Sequence, residues 1–218
     1  MRLGAKINQN SGVYNKYPST FTFEGKKVLN LGCGFAKYKA NNVVNLDAFD
    51  NCQPDVKWDL TKTPLPFEDE TFDFIIANHS LEHVSGWWEV FRDCARILKV
   101  GGHMEIWGPG MGGDAILGFR DHVNTINQCS FFGILGHSRP NNAWAMNAMD
   151  DSVRQMKMIK TDLNLINTWW VKKAPRWLQM WMANHLRNII FEVGFFFEKQ
   201  AAEQLKPDLD YRIVEAML

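Results

Sequence analysis

The run Val28-Leu29-Asn30-Leu31-Gly32-Cys33-Gly34, followed thirteen residues later by Asp47 at the end of Val43-Val44-Asn45-Leu46-Asp47, constrains this chain more than any other feature. An apolar run ending in Gly-x-Gly predicts a buried strand turning sharply into a helix. The two glycines let backbone N–H groups approach a ligand that a Cβ would keep away. A second apolar run ending in a carboxylate puts an acceptor beside the same crevice, where a ribose diol can donate to it. Together they predict a nucleoside pocket in a parallel α/β sheet.

The pocket is not that of a dinucleotide fold. That fingerprint needs a third glycine three residues after the second, and Lys37 stands there. The carboxylate also comes earlier than the roughly 20 residues expected. A phosphate loop is excluded too, because no Gly-Lys-Ser/Thr follows the glycines.

Further segments extend the pattern. Asp59-Leu60 follows a short third apolar segment. Residues 65–84 carry Phe72-Asp73-Phe74-Ile75-Ile76-Ala77-Asn78-His79-Ser80-Leu81-Glu82-His83, and Arg96-Ile97-Leu98-Lys99-Val100-Gly101-Gly102-His103 leads into another apolar run. These five blocks, in this order between about residues 27 and 108, resemble the class I S-adenosylmethionine (SAM) methyltransferases, and within them the methyltransferase type 11 group.

The resemblance implies a fold and a cofactor. The fold is α/β: a Rossmann-like class I methyltransferase sheet, mostly parallel with an antiparallel C-terminal strand, and a cap insertion after strand five. The cofactor is SAM, with S-adenosylhomocysteine as product. Asn30 stands where the family usually has an acid near the methionine amino group, and Ala36 where it usually has a third glycine. By resemblance, the backbone of Gly32, Cys33 and Gly34 lines the methionine, and Asp47 with Ala48 meets the ribose. Asp59 takes the adenine amino group, Leu60 packs on the ring, and Asn78 and His79 face cofactor and acceptor.

Along the chain, strands are expected near 27–31, 43–47, 56–58, 72–78 and 103–107. A one-faced helix spans 85–99, with apolar Trp87, Val90, Phe91, Cys94, Ile97 and Leu98 at helical spacing and Gly101-Gly102 at its end. Residues 176–193 read as the last helix, with Trp177 and Trp181 buried against the sheet and Gly194 as its cap. A strand then begins at Phe195, and Tyr211–Leu218 closes the sheet as an antiparallel edge. The single domain divides into an N-terminal arm (1–25), a cofactor half (26–109), a substrate cap (110–175) and the last helix with closing strands (176–218). Val153–Ile159 is a candidate extra strand within the cap.

The expected activity is methyl transfer from SAM to a small-molecule or glycan-type acceptor. The alternative is a non-catalytic SAM-fold scaffold or partner-binding subunit. His122 and His79 are the candidate bases, and Trp144, Trp169 and Trp170 the candidate substrate contacts. His79 and His83 lie four apart, but the order His-Ser-Leu-Glu-His is not the His-Glu-x-x-His of metalloproteases, so no metal is expected.

Composition bounds the partners. Lys plus Arg equals Asp plus Glu, 24 each, so the formal net charge is zero and no nucleic-acid partner is expected. A basic excess over 151–191 leaves membrane-peripheral contact as a minor alternative. Four dispersed cysteines and the lack of an apolar leader fit reduced thiols in a cytoplasmic protein.

Overall fold

The computed structural model describes residues 23, 25–110, 119–127, 130–131, 153, 155–165, 169–186 and 190–202. Seven strands form one sheet: β1 Val28–Leu31, β2 Val43–Asp47, β3 Val56–Lys57, β4 Phe72–Asn78, β5 Leu98–Pro109, β6 Met156–Leu165 and β7 Ile190–Lys199. Their order is β3-β2-β1-β4-β5-β7-β6. β1 pairs in parallel with β2 and β4, β4 with β5, and β2 with β3, whereas β7 runs antiparallel to both β5 and β6. The chain order reverses beside β1, so the carboxyl ends of β1, β2 and β4 open on one crevice, where open α/β sheets hold their ligands.

The central strands are apolar on both faces, as parallel strands buried between layers must be. Alternate residues feed two clusters. Leu29, Leu31, Ile75, Ala77 and Ile106 join the larger one, and Val28, Phe74 and Ile76 join Phe23 and Tyr38 in the smaller. Helix α1 (Trp87–Ile97) lays Val90, Phe91, Cys94 and Ile97 on the larger cluster, each fully excluded from water. Burial of such side chains contributes about 1.5–3 kcal/mol apiece.

Several expectations change. Gly-x-Gly does not lead into a helix: residues 32–42 are turns and one isolated bridge at Tyr38. Only eleven residues separate β1 from β2, fewer than a helical crossover requires. An amide network does the work of the missing helix. Asn30 Nδ2 donates to Asn45 Oδ1 (3.0 Å) and to the Ala36 carbonyl (3.1 Å), and Asn45 Oδ1 also accepts the Tyr38 N–H (3.0 Å).

Helix α1 stops at Ile97 because Leu98 is already extended and paired with Phe72. The strand expected at 103–107 therefore runs 98–109. Gly101, in the left-handed region at φ +76°, sits in an irregularity of β5 rather than at the helix end.

The C-terminal half differs most. The last helix is shorter than expected: α2 (Trp169–Lys173) and α3 (Arg176–His185) precede β7. Gly194 is no helix cap but a strand residue opposite Trp107, and a Cβ on it would lie 2.8 Å from the Trp107 indole. The antiparallel strand is β7, and Tyr211–Leu218 lies outside the described residues. Segment 110–175 supplies β6 to the sheet itself, over residues 156–165 rather than 153–159. It also supplies Phe131, whose ring packs 4.9 Å from those of Phe195 and Phe197.

Trp177 and Trp181 are not buried against the sheet. They are 71% and 49% exposed, because α3 turns Met182 and Leu178 toward Val171 in a separate small cluster. Among the described residues, no helix is long and apolar enough to cross a membrane.

Candidate functional site at the carboxyl ends of the central strands

Gly32 and Gly34 form the floor of the crevice. Gly32 has φ +66°, and a Cβ there would meet Ser80 Cβ at 2.4 Å and Leu60 Cδ1 at 3.6 Å. Backbone is thus all that fits between the tip of β4 and Leu60. Gly34, at φ +48°, has open space where its Cβ would be, and its N–H donates to Asp47 Oδ2 at 2.8 Å. Asp47 Oδ1 accepts the Phe49 N–H at 3.0 Å. The carboxylate is 8% exposed and held by two backbone donors, yet each oxygen keeps a lone pair for a further donor. Ala48, beside it, is half-buried.

Cys33 lies under the loop as a buried free thiol. Burial, and then the nearby Asp47 carboxylate, push it up to about 12, so it stays protonated. Cys52 and Cys94 are also free and buried, and Cys129 lies outside the described residues. Asn30 is 3% exposed and spends both amide hydrogens on Ala36 and Asn45, bracing the loop from beneath. Asp59 closes a turn: its Oδ1 accepts from the Thr61 N–H (2.9 Å) and hydroxyl (2.7 Å). Those bonds, the backbone one first, hold its carboxyl below the usual carboxylate range.

Beyond β4 the chain bends at His79, whose φ of +49° is unusual for a side-chain-bearing residue and whose N–H donates to the Trp107 carbonyl (2.9 Å). Its ring lies between two buried carboxylates, with Nδ1 3.1 Å from Glu82 Oε1 and Nε2 2.9 Å from Glu192 Oε1. Burial alone would lower its pKa. The hydrogen bonds to Glu192 and Glu82 more than offset that and raise it to about 9. His79 is therefore an imidazolium at neutral pH, with both ring nitrogens donating, which is not the state of a general base.

Two polar atoms at this strand end, Asn78 Oδ1 and Ser80 Oγ, are buried with no partner, as are Glu82 Oε2 and His122 Nδ1. Buried polar groups are rarely left so, and three of the four fall within the five residues 78–82 that begin at the end of β4. His122 stacks on Phe119 (5.1 Å) and meets the His83 ring edge-on (4.7 Å). Trp170 lies on α2, 46% exposed, and Trp169 begins that helix. Trp144 lies outside the described residues.

Ser80, Glu82 and Glu192 escape the sequence reading. Glu82 stands in the motif that was read, but Glu192 is 113 positions from His79 and meets it only because β7 returns beside β5.

This sheet order, with antiparallel β7 and a glycine loop at the carboxyl end of β1, is the Rossmann-like fold of the class I methyltransferases. Residues 29–106 match the family model described as a methyltransferase domain, of the type 11 group. The fold is similar to the YcgJ protein from Bacillus subtilis, at 15% identity and a TM-score of 0.50, covering 81% of this chain and 93% of that one. It is equally similar to a SAM-dependent methyltransferase from Archaeoglobus fulgidus, at 13% identity and a TM-score of 0.51, over 79% and 85% of the two chains. No curated protein matches the chain.

Proposed function

We propose that this protein transfers a methyl group from SAM to a small-molecule or glycan-type acceptor. The observation that carries the reading is the Gly34–Asp47 hydrogen bond beside a Gly32 that no side chain could replace. The donor set fits the cofactor. Backbone at 32–34 can approach the methionine portion, Asp47 has lone pairs for the ribose hydroxyls, and Leu60 offers an apolar wall to the adenine. Asn78 Oδ1 and Ser80 Oγ are polar atoms still to be satisfied.

When bound, SAM supplies an electrophilic methyl on a sulfonium, so the chain's task is mainly positioning and exclusion of water. His79, fixed between Glu82 and Glu192, stiffens the turn after β4.

The alternative, a SAM-fold scaffold without turnover, draws support from Asn30, a neutral amide braced inside the loop where the family usually has an acid to pair with the methionine ammonium. Isothermal titration with S-adenosylhomocysteine tests both. Micromolar binding that Asp47→Ala weakens at least tenfold supports the cofactor reading. No binding by the wild type overturns it and favours the scaffold.

A further inference from the structure

Glu82 and His83 lie on the single helical turn Leu81–His83 that follows β4, and His122 lies on the 119–127 segment packed over it. One ligand-capable atom from each of the three falls within 4.8 Å of the others. The two segments are stitched together by backbone: the N–H groups of Val123 (2.9 Å) and Asn124 (3.1 Å) both donate to the Glu82 carbonyl, and Asn124 Nδ2 donates to that of Val84.

As a purely structural polar cluster this one is incomplete. Glu82 is 1% exposed, and its Oε2 has no partner although Oε1 meets His79. His122 Nδ1 is likewise buried and without a partner. A buried polar atom that nothing binds has given up its water hydrogen bonds with no return. His83, by contrast, is oriented: its Nδ1 lies 3.1 Å from the Asp121 carbonyl and 3.3 Å from Asp121 Oδ2. An Nδ1–H donated there leaves Nε2 with its lone pair, the outer-shell arrangement that metal-bound histidines favour.

We propose that Glu82, His83 and His122 bind one divalent cation of the borderline transition class, for which Zn²⁺ is the natural probe. Two imidazoles and a carboxylate suit such a cation and leave a position open, whereas Mg²⁺ and Ca²⁺ prefer all-oxygen sites. Ligand atoms about 2.1 Å from a tetrahedral metal lie roughly 3.4 Å apart, a spacing that side-chain adjustment can reach from separations within 4.8 Å. The open position takes an oxygen ligand. That this oxygen belongs to the methyl acceptor rests on the reading above; metal binding itself does not.

The test uses the full chain, stripped by chelator and titrated with Zn²⁺ against a chromophoric competitor, beside His83→Ala, His122→Ala and Glu82→Gln. One Zn²⁺ per chain is expected, with affinity falling at least tenfold in each variant. Co²⁺ should give d–d absorption without a sulfur charge-transfer band. Thermal melts of the metal-free variants establish that they fold, and His122→Gln stands in if His122→Ala does not. No binding, affinity unchanged in the variants, or a sulfur band from cysteine ligation overturns the site; water then bridges the orphaned atoms. S-adenosylhomocysteine titration of the same samples is independent. Zn²⁺ binding without it leaves the metal site standing while the methyl-transfer reading falls.

Discussion

The Gly34 N–H donates to Asp47 Oδ2 over 2.8 Å, tying the glycine loop after β1 to the carboxylate that ends β2. Two features thirteen residues apart thus form one device, and the carboxylate is oriented before any ligand arrives. Removing it should cost twice, in binding and in loop order. Asp47→Ala should weaken S-adenosylhomocysteine binding by roughly 10- to 100-fold, the worth of a lost charge-assisted hydrogen bond. Asp47→Asn keeps one acceptor and should fall between. Titration calorimetry reads both, and equal affinity in all three proteins would remove Asp47 from the site.

Gly32 should tolerate no side chain. A Cβ there meets Ser80 at 2.4 Å, and φ of +66° disfavours any L residue. Gly32→Ala should therefore cost about 2–4 kcal/mol, from clash and backbone strain together. Adding Ser80→Gly removes only the clash, so the double variant should recover part of the loss in a denaturant melt. Full recovery would show that the backbone carries no strain.

The mostly parallel sheet and the places of its first four strands were legible because they rest on local pattern: apolar runs, glycines and a strand-end acid. What depends on distant returns of the chain was not. Gly194 followed an apolar run with helical spacing, and nothing local says that it faces Trp107 across β5 and β7. The His79–Glu192 contact is equally hidden, because the two residues are 113 positions apart. The missing helix after Gly34 was readable from length alone, since the eleven residues that join parallel β1 and β2 leave no room for one.

Two aromatic substitutions should separate core from surface in the C-terminal half. Phe131, fully buried against Phe91, Phe195 and Phe197, lies in a stretch expected to be a cap. Phe131→Ala should cost about 3–5 kcal/mol. Trp177, 71% exposed, should cost within about 0.5 kcal/mol on change to Ser. Urea unfolding measures both. A large loss at Trp177 would restore the packing expected from its helical spacing.

Asp73 ties the entrance of β1 to the start of β5: its Oδ2 accepts the Lys27 N–H (2.8 Å) and its Oδ1 the Lys99 ammonium (3.0 Å). Burial would raise its pKa, but the Lys27 hydrogen bond and then Lys99 more than offset this, leaving it below the ordinary 3.8. A folded-state pKa below the unfolded one stabilises the fold above about pH 4, and that stabilisation is lost as pH falls through the folded value. Asp73→Asn should melt about 2–4 °C below wild type at pH 6, for a loss near 1 kcal/mol. The gap should narrow steadily below pH 4, as the wild-type carboxyl takes up its proton and comes to resemble the variant. Lys99→Met, which keeps the backbone donor, should show a smaller gap over the same window. A gap that stays constant down to pH 3 would mean that Asp73 acts through its shape and not its charge.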